Sequence, residues 1–382
     1  MKIGILTLYY KNYNYGALLQ SFSLVRVLKK MGVEAEQITY DHRFKSKLYF
    51  QFLEAKNSKG KEKCRKYWNV IKSISKYVVF PSVSTKLINR KRRINRFLLS
   101  IPHSQQKYDE KTIIESNDKY DKIICGSDII WVMNSNPYLS ALGFVSKGKK
   151  FSYAASMGAA TVSDEWVERF TPWLWELNSI SMRETGVVSQ LNHSFPDKKV
   201  CAVLDPTLLL RRDEWDSLLS EGSIDSDYCL IYILSEDARQ QKAAIEFTHS
   251  NNLKALTFPN IHNYIYYNQR QYGDIQDYSS DPLDFVRMIK NAKVVITDSF
   301  HAVLFSVIYH IPFWALKRDS EPQFVGRVES FLNDIDLQKQ IANYEDLPSL
   351  VTPMVDFAPA DSYIDKMREV SISYLKENLN EE

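Results

Sequence analysis

Apolar and polar positions at the start of the chain predict short buried strands separated by a helix. Residues 2–9 form a run rich in β-favouring apolar side chains. In residues 16–31 the apolar side chains recur at helical spacing, and Gly32 follows as a helix stop. Residues 38–40 predict the next strand. This order is a β-α-β unit, which makes its two strands parallel neighbours in one sheet.

The same alternation continues after an interruption that begins near residue 43. The further strands predicted in the first half are residues 122–125, 151–154, 180–182 and 200–204. The strands and helices predicted in the second half are, in chain order, residues 228–234, 238–250, 253–258, 283–290, 294–297 and 302–309. Strands that alternate with helices favour an α/β fold with parallel sheets.

The length of 382 residues favours two domains, since a typical domain holds about 150 residues. The pattern places the first α/β domain at residues 1–205 and the second at residues 227–350, with a linker region at residues 206–226. Residues 351–382 carry a helical stripe and are predicted to form a helix that packs back across the domains.

Basic residues are concentrated in one segment of the first domain. The chain carries 49 Lys and Arg and 46 Asp and Glu, a net charge of +3 that argues against a dedicated nucleic-acid-binding protein. Residues 43–96 hold 17 of the basic residues and only Glu54 and Glu62 as acids, so this segment carries +15 and the rest of the chain −12. We predict a basic, helical insertion at residues 43–110.

Aromatic residues are interleaved with the basic ones in this insertion, which leaves three interpretations open. Amphipathic helices of this kind can lie against an anionic membrane, here the inner face of the cytoplasmic membrane. They can also present an ordinary solvated face while their apolar stripe packs on the protein. Contact with nucleic acid is a weaker third interpretation, since no nucleic-acid-binding motif accompanies the charge.

The overall composition predicts a folded soluble protein. Apolar residues make up 45% and charged residues 25%, and 12 Gly and 13 Pro are too few for collagen-like or disordered chains. The four cysteines are widely spaced, which favours a reduced cytoplasmic protein without structural zinc. The short apolar run at the N-terminus is interpreted as a strand and not as a signal peptide, and the sequence lacks an apolar run of roughly 20 residues that could span a membrane.

Six polar clusters follow predicted strands, which is where open parallel sheets bind ligands. They are Asn14-Tyr15-Gly16, Gly126-Ser127-Asp128, Ser156, Arg183-Glu184, Asp205-Pro206-Thr207 and Asp298-Ser299-Phe300-His301. Each cluster alone can be an ordinary turn or helix cap. Together, and spread over both domains, they indicate a cleft between the domains that binds an anionic ligand at helix N-termini.

His301 differs from the other histidines because it lies in the first turn of an apolar helix. The helix dipole disfavours an imidazolium there, so a carboxylate is needed to keep the ring protonated near neutrality, and Asp298 and Asp128 are the candidates. The sequence lacks a dinucleotide-binding glycine motif, a P-loop, a zinc-protease motif and a nucleophile elbow around Ser156. The acid pair in residues 225–227 is interpreted as part of a solvated loop. The residues alone therefore predict a two-domain α/β enzyme.

The ordered motifs resemble those of the polysaccharide pyruvyl transferase family. They are Asn14-Tyr15-Gly16-Ala17-Leu18-Leu19-Gln20, Gly126-Ser127-Asp128 with Trp131 close behind, Ser152-Tyr153-Ala154-Ala155-Ser156, Ser181-Met182-Arg183-Glu184, Leu204-Asp205-Pro206-Thr207 and Thr297-Asp298-Ser299-Phe300-His301. The resemblance extends from about residue 2 to about residue 330, outside the basic insertion. It implies two Rossmann-like domains arranged as in GT-B glycosyltransferases.

The resemblance also implies an activity. Members of the family transfer a pyruvyl group from phosphoenolpyruvate to a pair of sugar hydroxyls as a cyclic ketal, in the biosynthesis of surface polysaccharides or exopolysaccharides. Phosphoenolpyruvate is then the donor substrate, the acceptor is a free or lipid-linked sugar, and neither a cofactor nor a metal is expected.

Individual residues receive roles from the same resemblance. His301 is the predicted general acid, and Asp128 or Asp298 is its partner or the base that deprotonates the sugar. Arg183 offers a bidentate fork for the donor, and the amides after Ser299 offer a positive helix end. The predicted substrate-binding residues are Asn14, Gly16, Ser127, Ser156, Arg183, Ser299, Arg318 and Arg327.

One position departs from the family pattern. The pattern of the family that this chain resembles is Arg-x-His at the start of the second-domain helix. In this sequence Ser299 takes the place of the arginine, two residues before His301. Lys317, Arg318 or Arg327 would have to supply the missing charge from another loop. The departure keeps two alternatives open: a GT-B-like glycosyltransferase that uses a nucleotide sugar, and a non-catalytic carbohydrate-binding component.

Overall fold

Two parallel β-sheets form the framework of the protein. The computed structural model describes residues 1–41, 56, 58, 60–133, 135–159, 161–222, 224, 227–235, 237–259, 272–317 and 326–380. The strands of this part of the chain are β1 Lys2–Leu6, β2 Glu34–Gln37, β3 Lys122–Cys125, β4 Lys150–Ser152, β5 Ile180–Met182, β6 Val200–Ala202, β7 Tyr228–Tyr232, β8 Lys254–Thr257, β9 Ile275–Gln276, β10 Val294–Thr297, β11 Phe313–Leu316 and β12 Ile341–Ala342.

Helices connect most of these strands. They are α1 Tyr15–Lys30, α2 Gly60–Val79, α3 Pro81–Ser100, α4 Pro137–Ser140, α5 Asp164–Leu174, α6 Val188–Ser194, α7 Pro206–Leu209, α8 Arg212–Asp216, α9 Ala238–Ser250, α10 Pro282–Lys290, α11 Phe300–Tyr309, α12 Arg327–Asp334 and α13 Ala358–Asn380. Among the described helices, none combines the length and the apolar character needed to cross a membrane.

The first domain is built on β1 to β6. Its main sheet has the order β2-β1-β3-β4, and all neighbouring strands are parallel. Strands β5 and β6 form a parallel pair, which an isolated bridge between Ala155 and Met182 joins to the same layer. A further parallel bridge between Gln37 and His103 lies beside β2. The carboxyl ends of β1, β3 and β4 therefore meet at one edge of the sheet.

The second domain has one six-stranded parallel sheet with the order β12-β11-β10-β7-β8-β9. Counted from β7, this is the strand order of a Rossmann fold, with the switch in direction between β7 and β10. Both of these central strands are buried along their whole length, as expected for a parallel sheet that helices cover on both faces. The predicted α/β fold with parallel sheets is confirmed.

The two domains share an apolar core at their junction. Tyr15, the first residue of α1, stacks on Tyr232 of the second domain with ring centroids 6.1 Å apart. Its ring also lies 5.1 Å from that of Phe285, and its hydroxyl donates to the Ser280 carbonyl at 2.9 Å. The N-terminal end of α1 is thereby held against the second domain.

Helix α13 contacts both domains. Near its start, Asp361 lies 3.0 Å from the His310 ring at the end of α11. Near its end, the Tyr374 hydroxyl donates to the Ser152 carbonyl of β4 at 2.8 Å. This helix, which lies within the predicted C-terminal segment 351–382, bridges from the second domain back to the first.

The position of β2 differs from the prediction. The sequence pattern favours a strand at residues 38–40, but β2 occupies Glu34–Gln37. A search for runs of apolar residues does not find β2, because two of its four residues are glutamates and only alternate side chains are buried. Residues 38–40 are buried after the strand has ended.

The basic insertion forms two helices, α2 and α3, but its last predicted residues, 101–110, are not helical. Helix α3 packs on the protein through Leu87, Ile94, Phe97 and Leu98. The start of the predicted insertion, in residues 43–55, lies outside the described residues, as do residues 225 and 226 of the predicted solvated loop.

Candidate active site between the two domains

His301 lies at the junction of the two domains. It is the second residue of α11, which begins directly after the turn that follows β10. Its ring is buried and extends to the first domain, where Nε2 lies 3.5 Å from Oδ2 of Asp205. A Cβ atom on Gly16, the second residue of α1, would come within 2.1 Å of His301 Nδ1. Only glycine allows this close approach of the ring.

Asp205 connects His301 to a buried polar network. Its Oδ2 atom accepts from Arg183 Nη1 at 3.2 Å and from the Ser127 hydroxyl at 3.4 Å. Its Oδ1 atom accepts from the amide and the hydroxyl of Thr207, at 3.0 and 2.7 Å. Burial alone would raise the pKa of the Asp205 carboxyl, but His301, Arg183 and the Thr207 amide lower it below its ordinary value. Asp205 is therefore a carboxylate at neutral pH.

Arg183 is the cation at the centre of this network. Its Nη2 atom donates to the Ser156 hydroxyl at 2.8 Å, and its guanidinium lies 4.2 Å from the centre of the Phe300 ring. Burial alone would lower the pKa of the Arg183 guanidinium, but Glu184, Asp205 and Asp128 raise it above its ordinary value. Two carboxyl groups, those of Glu184 and Asp205, thus pair with the guanidinium, and that of Asp128 adds to the negative potential.

This arrangement differs from the expectation that Arg183 presents its fork to the donor. One terminal nitrogen is engaged by Asp205 and the other by Ser156, so the fork is used within the protein. Ser156 in turn donates to Glu184 and accepts from the Gly158 amide. Within the described part of the chain, Arg183 Nε and Glu184 Oε2 are buried without a hydrogen-bond partner.

The predicted pairing of His301 with Asp298 or Asp128 is wrong, because the carboxylate that contacts the ring is Asp205. The two oxygens of Asp298 accept from the amides of Leu234 and Ser235, which fixes the end of β7. Asp298 thus has a structural role, and its alternative role as base stays a prediction. The carboxyl of Asp128 interacts electrostatically with Arg183, and the role of Asp128 as base stays a prediction.

The remaining predicted binding residues lie at helix ends around His301. Asn14 caps α1 by accepting from the Ala17 amide at 3.3 Å. Ser299 is the N-cap residue of α11. The Arg327 guanidinium at the start of α12 lies 6.0 Å from the Phe300 ring, on which Arg183 also packs. Arg318 lies outside the described residues.

The N-termini of α1 and α11 therefore converge from the two domains, with the His301 ring packed between them. Each helix N-terminus presents free amide groups and the positive end of the helix dipole. Two such ends at one point favour an anionic group, and the imidazole beside them can give or take a proton.

An apolar cavity of about 300 Å³ lies beside this network, at the carboxyl end of β1. Its walls include Leu6, Thr7, Val132 and Leu139. The Thr7 hydroxyl donates to the Ser127 carbonyl at 3.0 Å, which connects the cavity wall to the residue that binds Asp205. The cavity is at the small end of the range for ligand pockets, about 300–1,000 Å³.

Comparison with known proteins shows the family of the chain. The model of the family described as polysaccharide pyruvyl transferase matches residues 14–320, a range that includes every one of the clusters around His301. The chain belongs to the polysaccharide pyruvyl transferase family. The resemblance of the ordered motifs is thereby confirmed, and the chain is a member of a transferase family of polysaccharide biosynthesis. No curated protein matches the sequence.

Solved structures resemble this pyruvyl transferase family member in fold. The UDP-N-acetylglucosamine 2-epimerase of Rickettsia bellii has a TM-score of 0.52 at 10% identity, over 98% of this chain and 95% of its own. A Listeria monocytogenes protein provisionally assigned as a UDP-N-acetylglucosamine 2-epimerase has a TM-score of 0.51 at 11% identity, over 97% of this chain and 90% of its own. At these identities the likeness concerns the fold, and it confirms the GT-B-like arrangement of two Rossmann-like domains.

Sequence reasoning missed the roles of Asp205 and Glu184 in this family member. Both residues belong to the polar clusters, but residues of these types are also common in turns and at strand ends, so no role in the site was assigned to them. Their positions directly after β6 and β5 could have predicted a role in the site, because those strands end at the same edge of the sheet as β4.

Replacing Gly16 by alanine is expected to destabilise this pyruvyl transferase family member. Alanine normally stabilises a helix by about 1 kcal/mol relative to glycine. Here the new Cβ atom would lie 2.1 Å from His301 Nδ1, and overpacking of a buried site costs about 1–3 kcal/mol. Urea unfolding should therefore show a lower midpoint for Gly16→Ala.

The His301→Ala background provides the matched control for this substitution. Without the ring, the same Gly16→Ala change should become neutral or stabilising. An equal loss in both backgrounds would show that the contact between Gly16 and His301 is not the cause.

Proposed function

We propose that this protein transfers a pyruvyl group from phosphoenolpyruvate to two hydroxyls of a polysaccharide precursor as a cyclic ketal. The observation that carries the proposal is the convergence of the α1 and α11 N-termini on the His301 ring. Phosphoenolpyruvate brings a phosphate and a carboxylate, which two positive helix ends favour, and a methylene carbon that must be protonated.

The proposed reaction begins with proton transfer from the His301 imidazolium to the methylene carbon of phosphoenolpyruvate. The electrons of the double bond form the new C–H bond, so the methylene carbon becomes a methyl group and C2 becomes electron-poor. One sugar hydroxyl adds to C2 and gives up its proton, and the C2–O bond to phosphate breaks to release inorganic phosphate. The second hydroxyl then adds to C2 and loses its proton, which closes the ketal. Each sugar proton needs an acceptor.

His301 suits the role of acid because a carboxylate lies beside its ring. Asp205, 3.5 Å from Nε2, offsets the charge of the protonated imidazole. Asp128, whose carboxyl group interacts electrostatically with the same guanidinium as Asp205, is the proposed base for the sugar hydroxyl.

Arg183 cannot be the main contact for the donor, because Asp205 and Ser156 already engage its fork. We assign the donor phosphate to the amides that begin α11 and to Arg327, which approaches the same helix end along Phe300. The apolar cavity beside Thr7 offers room for the acceptor sugar.

A second candidate function is glycosyl transfer from a nucleotide sugar on the same scaffold. Ser299 favours this function. The N-cap serine occupies the position at which the family pattern Arg-x-His has its arginine. A serine hydroxyl adds no positive charge for a donor with a phosphate and a carboxylate.

Thermal unfolding with each donor distinguishes the two functions. Phosphoenolpyruvate should raise the unfolding temperature, because a ligand at a hundred times its Kd stabilises the native state by about 2.7 kcal/mol. Inorganic phosphate at the same concentration and ionic strength is the control. Phosphate release against a panel of free and lipid-linked glycosides then tests turnover.

Stabilisation by UDP-sugars without an effect of phosphoenolpyruvate would overturn the proposal in favour of glycosyl transfer. Stabilisation by phosphoenolpyruvate without phosphate release from any acceptor would favour the non-catalytic alternative.

A further inference from the structure

Helix α2 presents an apolar stripe that is exposed. Cys64, Trp68, Ile71 and Val79 lie on one face of the helix, because they are separated by four, three and eight residues. The exposed fraction is 66% for Trp68, 55% for Ile71 and 60% for Val79. A helix that packs its apolar stripe on its own protein would bury these side chains. The stripe is therefore available to a partner.

Exposed apolar side chains are concentrated on α2 and α3. In the part of the chain that the structure describes, eleven large apolar side chains are exposed, and five of them lie on these two helices. The five are Trp68, Ile71, Val79, Ile88 and Leu99. Isolated exposed apolar side chains are ordinary, but such a concentration marks an interaction surface.

The same helices carry a high positive charge. Helix α2 contains six Lys and Arg and one Glu, and α3 contains six Lys and Arg and no acid. Lys63 and Arg65 are exposed, and at 100° per residue they lie on opposite flanks of the stripe through Cys64. A tryptophan-bearing apolar stripe with basic flanks is the pattern of helices that lie in the interface of an anionic bilayer.

Helix α3 fixes this surface to the body of the protein beside the cleft. Arg90 is buried and donates to the carbonyls of Pro259 and Asp277 in the second domain. Lys91 lies 5.0 Å from the ring of Tyr13, which directly precedes the Asn14 cap of α1. Helix α3, which directly follows α2 in the chain, therefore contacts both the second domain and the segment that leads into α1.

We propose that α2 docks the protein on an anionic lipid bilayer, with its stripe among the headgroups and its basic flanks on the lipid phosphates. Charge complementarity identifies this occupant, since each Lys or Arg near an anionic surface adds to the attraction. A bilayer also accepts a tryptophan-bearing stripe without a complementary protein groove. Docking requires no particular reaction in the cleft.

A fluorophore on Cys64 tests the insertion of the stripe in the full-length protein. Cys64 is exposed, Cys125 and Cys229 are buried, and a Cys201→Ser background removes the half-buried thiol. With an environment-sensitive label, vesicles of phosphatidylcholine with about 30% phosphatidylglycerol should shift the emission to the blue. Vesicles of phosphatidylcholine alone should not. Raising the salt from about 0.05 to about 0.5 M should reverse the shift, because salt screens the attraction.

Substitutions on the stripe test whether it carries the binding. The Trp68→Glu, Ile71→Glu variant should lower co-sedimentation with the anionic vesicles by at least about tenfold, since two acids enter the contact. The control is Met354→Glu with Val351→Glu, which adds two acids at residues that are 98% and 71% exposed outside α2 and α3. It should sediment like the parent protein.

Three results would overturn the proposal. The first is no sedimentation with anionic vesicles, and the second is an equal loss in the stripe variant and the control. The third is that the parent protein is a dimer in vesicle-free buffer and the stripe variant is a monomer, which would assign the face to a second copy of the chain. The assays contain neither donor nor acceptor, so they hold whether or not phosphoenolpyruvate is the substrate.

Discussion

Replacing His301 by alanine is expected to lower acceptor-dependent phosphate release from phosphoenolpyruvate by at least about a hundredfold, the usual effect of losing a general acid. The substitution removes the only imidazole that contacts Asp205 in the described part of the chain. The fold should persist, because Arg183 and Thr207 still bind the Asp205 carboxylate. Phosphate release and the urea unfolding midpoint measure the two effects separately.

His310 offers a matched control at the other end of the same helix. It is the C-cap residue of α11, has a φ of 55°, and pairs with Asp361 at the surface. Asparagine tolerates this left-handed conformation, so His310→Asn should leave turnover near that of the parent protein. Near-normal turnover in His301→Ala would contradict the assigned role, and an equal loss in both variants would point to damage to α11 as a whole.

The core elements of the fold could be predicted from sequence because burial determines their pattern. Strands β3, β5 and β10 and helix α9 have the predicted bounds. Each of these strands is buried throughout, and α9 is amphipathic. Short strands at the sheet edge have too few apolar residues to be predicted from periodicity. Strand β12 has only two residues, and β2 alternates glutamates with buried side chains.

The candidate site was predictable as a set of clusters but not as a set of contacts. Asp298 is the carboxylate nearest to His301 in the sequence, yet it binds the end of β7. The actual partner, Asp205, comes from the other domain. Periodicity places residues at strand ends, but it does not encode how two domains are apposed. That apposition depends on contacts such as the stacking of Tyr15 on Tyr232.

Replacing Arg183 by methionine is expected to lower the free energy of unfolding by about 3–5 kcal/mol, the usual cost of removing one partner of a buried ion pair. Methionine keeps most of the volume but leaves Asp205 and Glu184 without the guanidinium that lies between them. Arg93 provides the control. Its pairs with Asp281 and Asp284 involve a side chain that is 41% exposed, so Arg93→Met should cost about 1 kcal/mol or less.

The pH dependence separates a charge effect from a packing effect in the Arg183→Met variant. In the parent protein the pKa of Asp205 is lowered from its ordinary 3.8, so its ionisation stabilises the fold above about pH 4 and this contribution is lost as the pH falls below that value. The variant lacks part of this contribution. The difference in unfolding free energy between parent and variant should therefore shrink as the pH falls below about 4. A difference that stays constant with pH would mean that the guanidinium acts mainly by packing on Phe300, 4.2 Å away.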